Sequence, residues 1–76
     1  MLYQAIVEPG EPAAPVSLCR GDDVLYQQPA GCWLGHFAHP VAGGLLIVDD
    51  DDQSEHVCEL GHVSVWTGRR WAVLVG

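Results

Sequence analysis

The sequence predicts an all-β domain, a small barrel of about five to six short antiparallel strands. Three observations carry that prediction. Nine glycines and five prolines in 76 residues interrupt the chain too often for a helix of ordinary length. The apolar segments between them are short, rich in valine and aromatic residues, and separated by turn signals every few residues. The last apolar segment, Trp71–Val75, is apolar at every position, so an open edge there would be a pairing hazard that closure of a barrel removes.

The elements follow in order. Leu2–Val7 reads as a strand, and Glu8–Pro15 as a Pro-rich loop that cannot join a central ladder. Val16–Cys19 resumes an extended form before a turn at Arg20-Gly21-Asp22. Val24–Gln27 and Cys32–Ala38 are strands joined by a hairpin connection at Gln28–Gly31, with Trp33 and Phe37 on one face and Leu34 on the other. His39–Gly44 turns the chain into the short apolar strand Leu45–Val48, which Asp49–Asp52 stops. His56–Leu60, Val63–Trp66 and Arg70–Val75 are the remaining extended segments, with Thr67-Gly68-Arg69 as a tight turn. The final strand is expected to lie against Leu2–Val7.

Size and charge set the functional limits. Seventy-six residues make one domain, 1–76, with a folding free energy of roughly 4–11 kcal/mol. Chains this short often need a disulfide, a metal or a partner. Ten acidic residues against three arginines give a net charge of −7, which excludes direct nucleic-acid binding and a polybasic membrane anchor. An apolar share of 49% argues against disorder. Three cysteines, Cys19, Cys32 and Cys58, cannot all pair in one chain, and MLYQAIVEPGE has no cationic segment before a long apolar core. Those features predict reduced thiols in a cytoplasmic protein, and leave homo-oligomerisation as the stabilising device.

The run from Val16 to Phe37, VSLCRGDDVLYQQPAGCWLGHF, with Met1-Leu2-Tyr3 before it, resembles a Src-homology-3 domain in motif order and spacing. Gly21-Asp22 matches the diverging turn, and Gly31-Cys32-Trp33-Leu34-Gly35 matches the family's tryptophan strand. The resemblance covers about half the chain and implies an SH3-like barrel, Tudor-like domains included. It does not bring the ligand chemistry with it. Cys32 stands where the peptide groove has its first tryptophan, and the closing segment of the family has no counterpart after Gly44. For a Tudor-type cage, Val24, Leu34 and Val48 are aliphatic and only Tyr26 supplies a wall. Gly21-Asp22 and Trp33-x-Gly35 also resemble the type II dihydrofolate reductases, but their active strand is absent and their anionic substrates would be repelled here.

The chemistry-bearing residues are weighed against plainer roles. Cys32-x3-His36-x2-His39 and Cys58-x3-His62 suggest zinc, yet positions four apart on a strand lie ~13 Å from each other, far beyond ligand reach. Only a cross-strand set joining Cys32 or His36 to Cys58 or His56 would serve, so no metal and no cofactor are expected. Cysteine–histidine dyads lack an oxyanion site. Asp49, Asp50, Asp51 and Asp52 fail as a calcium loop, with Ser54 and Leu60 where glycine and glutamate are needed. As a hydrated turn the run costs little, because alternate aspartates ~6.6 Å apart repel by only about 0.6 kcal/mol in water. As a docking surface it would steer a basic partner, with Asp22 and Asp23 extending it if the turns adjoin. Trp66, Arg69, Arg70 and Trp71 have the composition of an interface hot spot. The reading is therefore a non-enzymatic protein-interaction or assembly module. The alternatives are an acidic decoy on a nucleic-acid-binding surface, and a barrel with a small-molecule site between subunits.

Overall fold

Alternation decides which side of each strand is buried. In the computed structural model, which describes all 76 residues, eight strands form one antiparallel sheet: β1 (Leu2–Ile6), β2 (Ala14–Ser17), β3 (Asp23–Gln28), β4 (Gly31–Val41), β5 (Gly44–Asp49), β6 (Glu55–Cys58), β7 (Val63–Trp66) and β8 (Trp71–Val75). Their order across the sheet is β2-β1-β8-β7-β3-β4-β5-β6. The all-β class and the β1–β8 pairing agree with the sequence reading, and Leu74 lies opposite Ala5. The sheet does not close: β2 and β6 are free edges. The count is eight rather than about five to six because each extended segment read from the sequence pairs as a strand of its own, Val16–Cys19 shifted to Ala14–Ser17 by its pairing with β1. Pro15 enters the β2 ladder opposite Gln4, which an edge strand permits.

One core cluster gathers the inward residues of the strands, including Ala5, Val24, Tyr26, Phe37, Leu45, Ile47, Val63, Val65 and Leu74. Burial of such aliphatic side chains at about 1.5–3 kcal/mol each outweighs any single polar contact in a sheet of this size. Each of the two apolar strands thus hides only alternate residues: Leu45 and Ile47 are buried between half-buried Leu46 and Val48, while Ala72 and Leu74 flank exposed Val73.

The expected turn at His39–Gly44 is shorter than predicted. β4 runs on to Val41, and the reversal takes only Ala42 and Gly43. A bulge between Phe37 and His39 makes this possible. It absorbs Ala38, so that Phe37 stays inward while His39 lines up with the outward residue Leu46. His56–Leu60 also ends early, and Leu60–His62 form one 3₁₀ turn leading into β7.

Gly44 is fixed by crowding. A Cβ there would lie 2.0 Å from the Cys58 carbonyl oxygen on β6. Gly44→Ala is expected to destabilise the domain by about 1–3 kcal/mol, by forcing β5 and β6 apart. Gly61→Ala enters open space and should leave Tm nearly unchanged, so thermal melts of the two variants check the claim.

Candidate functional site

The acidic run forms the turn between β5 and β6, and its four aspartates face different surroundings. Asp49 is buried at 6% exposure. One carboxylate oxygen accepts a hydrogen bond from the Tyr26 hydroxyl, and the other accepts the backbone N–H groups of Asp51 at 2.8 Å and Asp52 at 3.3 Å. Asp49 therefore anchors the turn from inside and does not present its charge to a partner, contrary to its place in the predicted acidic patch. Gln53 completes the reversal in the left-handed region at φ 61°, its amide bonded to the carbonyls of Asp49 and Asp50. Asp52 accepts the Ser54 N–H at 2.9 Å and the Ser54 hydroxyl at 2.6 Å. Asp50 and Asp51 are exposed.

Sheet register joins the second acidic turn to the first. Asp23 on β3 lies directly opposite His36 on β4, and the His36 ring bonds Asp50 at 3.0 Å. Asp22 uses its carboxylate locally, accepting the Cys19 N–H at 2.8 Å. The same outer face carries a row, apolar but for Ser64, that the pairing spells out: Ile6 opposite Val73, Val73 opposite Ser64, Ser64 opposite Leu25, and Leu25 opposite Leu34. Leu34 is 53% exposed and its carbonyl accepts the Asp50 N–H, so the row ends against the acidic turn.

Trp66 and Trp71 face each other across the β7–β8 turn, ring centroids 5.4 Å apart and edge to face. Trp66 is exposed and Trp71 half-buried. Arg70 pairs with Glu8 of the long β1–β2 connection, and Arg69 is exposed. This cluster is separate from the acidic turn, and no arginine lines any contact to Asp49–Asp52.

On the inner side, the turn closes over a cleft of about 220 Å³ lined by Tyr26, Gln28, Trp33, Asp49, Asp52, Ser54 and His56. The Tyr26 ring stacks on His56 at 5.1 Å and lies 6.1 Å from the tilted Trp33 indole. Trp33 sits on the inner face, as its spacing predicts, but at the strand end it remains 38% exposed. Sequence reasoning singled out His56 only as a possible zinc ligand and gave Ser54 no role. The signal was present in Asp52-x-Ser54-x-His56, whose period of two brings alternate side chains to one side of an extended segment. Ser54 Oγ lies 2.8 Å from His56 Nε2. Its one proton goes to the Asp52 carboxylate, so His56 donates to Ser54 and holds no base poised against that hydroxyl. A serine–histidine nucleophile is not assembled.

Cys32 and His36 lie on the opposite face from His56 and Cys58, which separates the cross-strand zinc set. No group of three histidine, cysteine or carboxylate side chains converges on a point. Cys19 and Cys32 are exposed thiols, whereas burial pushes the Cys58 thiol above its ordinary pKa. No helix is long and apolar enough to cross a membrane.

The Tyr26–Asp49 bond sets two titration directions. Burial first, then the bond to Asp49, raises the Tyr26 hydroxyl pKa well above its ordinary value of 10.0. The same bond, with the Asp51 and Asp52 amides, lowers Asp49 below its ordinary 3.8 against an opposing desolvation. A lowered acid contributes stability above 3.8 that is lost as pH falls towards the folded value. A raised tyrosine contributes stability below 10.0 that is lost as pH rises beyond it. Tyr26→Phe is expected to cost about 1.5–3 kcal/mol at neutral pH, and to remove the alkaline loss and shrink the acid one. Denaturant melts from pH 2 to 11 measure all three effects (about the span of these two groups).

No protein-family model, curated protein or solved structure matches the chain.

Proposed function

We propose that the chain is a non-enzymatic protein-interaction module that docks a basic protein partner on the outer face of β3 and β4. One observation carries this reading: Asp23, His36 and Asp50 form a contiguous polar group beside exposed Leu34 and its neighbour Leu25. Charge steers the encounter and the apolar row supplies the area that holds it. Outside the His36–Asp50 contact these carboxylates have no cationic partner within the chain. For its fold the reading leans on the likeness of Val16–Phe37 to SH3-like barrels. Three free thiols favour the reducing cytoplasm as its compartment. A basic nucleic-acid-binding surface is the alternative occupant, and competition by nucleic acid identifies it.

The test neutralises the outer face without touching the turn's anchors. Asp23→Asn with Asp50→Asn should leave Tm unchanged, since both side chains are exposed. It should slow association with a partner captured at low salt by about three- to tenfold, and flatten the salt dependence. Equal rates for both proteins at low ionic strength would refute steering.

A second reading, self-assembly, has its own observation. Val73 is 41% exposed in mid-strand on β8, with Ile6 opposite and the Trp66–Trp71 pair at the strand's start. Light scattering should give a mass above the 8.2 kDa monomer. Val73→Lys should restore the monomer while keeping the fold.

A further inference from the structure

We infer that the inner cleft beside the acidic turn is a receptor for a guanidinium group, the side chain of an arginine carried by the partner. The inference rests on the reading of the chain as a module for a basic partner, and names the side chain it takes. Three features converge. The first is the aromatic lining: the exposed Trp33 indole and the half-buried His56 ring, which is stacked on buried Tyr26. A planar delocalised cation stacks on such rings more favourably than a compact ammonium does.

The second is charge. Asp49 and Asp52 both line the cleft, and neither makes an ion pair within the chain. The Ser54 bonds hold Asp52 below the ordinary carboxylate range, so it is ionised at neutral pH. Asp49 spends both oxygens on Tyr26 and the turn, which leaves Asp52, with only one oxygen engaged, to meet an incoming N–H donor.

The third is the bias of the remaining polar groups. His56 gives its Nε2 proton to Ser54, and Ser54 gives its own proton to Asp52. The Tyr26 proton is held by Asp49. The Tyr26 and Ser54 hydroxyls and the His56 Nε2–H are thus already engaged, and no lysine or arginine lines the cleft, so it suits a ligand that brings positive charge and donors of its own. A guanidinium carries five N–H donors in one plane and no acceptor. A carboxylate or phosphate would meet the charges of Asp49 and Asp52 there.

The experiment is a two-dimensional NMR titration of the full chain with the capped tripeptide acetyl-Gly-Arg-Gly-amide. Its neutral isostere with citrulline in place of arginine is titrated in parallel. The Trp33 indole N–H and the Ser54 and His56 amides should shift with the arginine peptide, and binding should weaken by about tenfold or more with citrulline. Trp33→Leu and Asp52→Asn should each weaken the arginine peptide by about three- to tenfold. The asparagine Oδ1 can still accept from Ser54, so the turn keeps its form; Trp33→Phe replaces Trp33→Leu if the leucine variant does not fold. Asp23→Asn with Asp50→Asn should leave the arginine-to-citrulline ratio unchanged, which separates failure of the cleft from failure of the outer docking face. Equal binding of the two peptides, or shifts confined to Asp23, His36 and Asp50, would overturn the inference.

Discussion

The hydrogen bond from Tyr26 to Asp49 is the constraint on which the rest of the arrangement depends. It crosses from β3 to the end of β5 over the intervening strand β4, at a point where Gly35 supplies no side chain. A Cβ at Gly35 would lie 2.6 Å from the Val48 carbonyl oxygen, so the strands approach there as only glycine allows. Burying a carboxylate without partners would cost several kcal/mol, more than one aliphatic side chain returns. Asp49 avoids that cost by accepting three hydrogen bonds, and no buried side-chain nitrogen or oxygen in the chain is left without a partner. The inward aspartate in turn fixes where the other three point.

From that anchor the run of four identical residues divides its work. Asp50 reaches the outer face and meets His36, while Asp52 turns to the inner cleft and holds Ser54. Asp51 lends its backbone N–H to Asp49 and leaves its side chain in water. A single turn thereby supplies charge to both sides of the sheet. The anchor is made of short-range bonds and is insensitive to salt, whereas the exposed charges are screened beyond about 8–10 Å in ordinary buffer. The turn's anchor and its exposed charges thus use the same residue type through different physics.

Much of the fold was legible because it rests on local rules. The alternation in Cys32–Ala38, the apolar Leu45–Val48 and the Thr67–Arg70 turn each specify their own element, and β7 matches the predicted Val63–Trp66. The long-range parts were not legible. The bulge that carries β4 to Val41 depends on pairing with β5, and the open order of the sheet depends on which edges find partners. At the site, composition marked the aspartates but could not tell the inward one from the outward ones. That difference is made by Tyr26, twenty-three residues away in sequence. Trp33 and His56 gave no signal as a pair, because β5 lies between their strands and only register brings them to one cleft.

The three cations of the chain lie away from most of its carboxylates. Of the three arginines, Arg70 is paired with Glu8 beside the long β1–β2 connection, and Arg69 neighbours it on the same turn. Arg20 sits on the turn that carries Asp22 and makes no ion pair. With no lysine anywhere, the carboxylates around β3, β4 and the β5–β6 turn are left with two histidines among them, His36 and His56. Water screens their mutual repulsion to a fraction of a kcal/mol per pair, so the folded state tolerates the imbalance. On the proposed reading, a partner's cation arriving with its own apolar surface would displace that water and meet the full field, so the gain would fall on binding rather than on folding. An internal lysine at the same place would have stabilised the monomer slightly and occupied the site. Its absence keeps the acidic turn available from both faces.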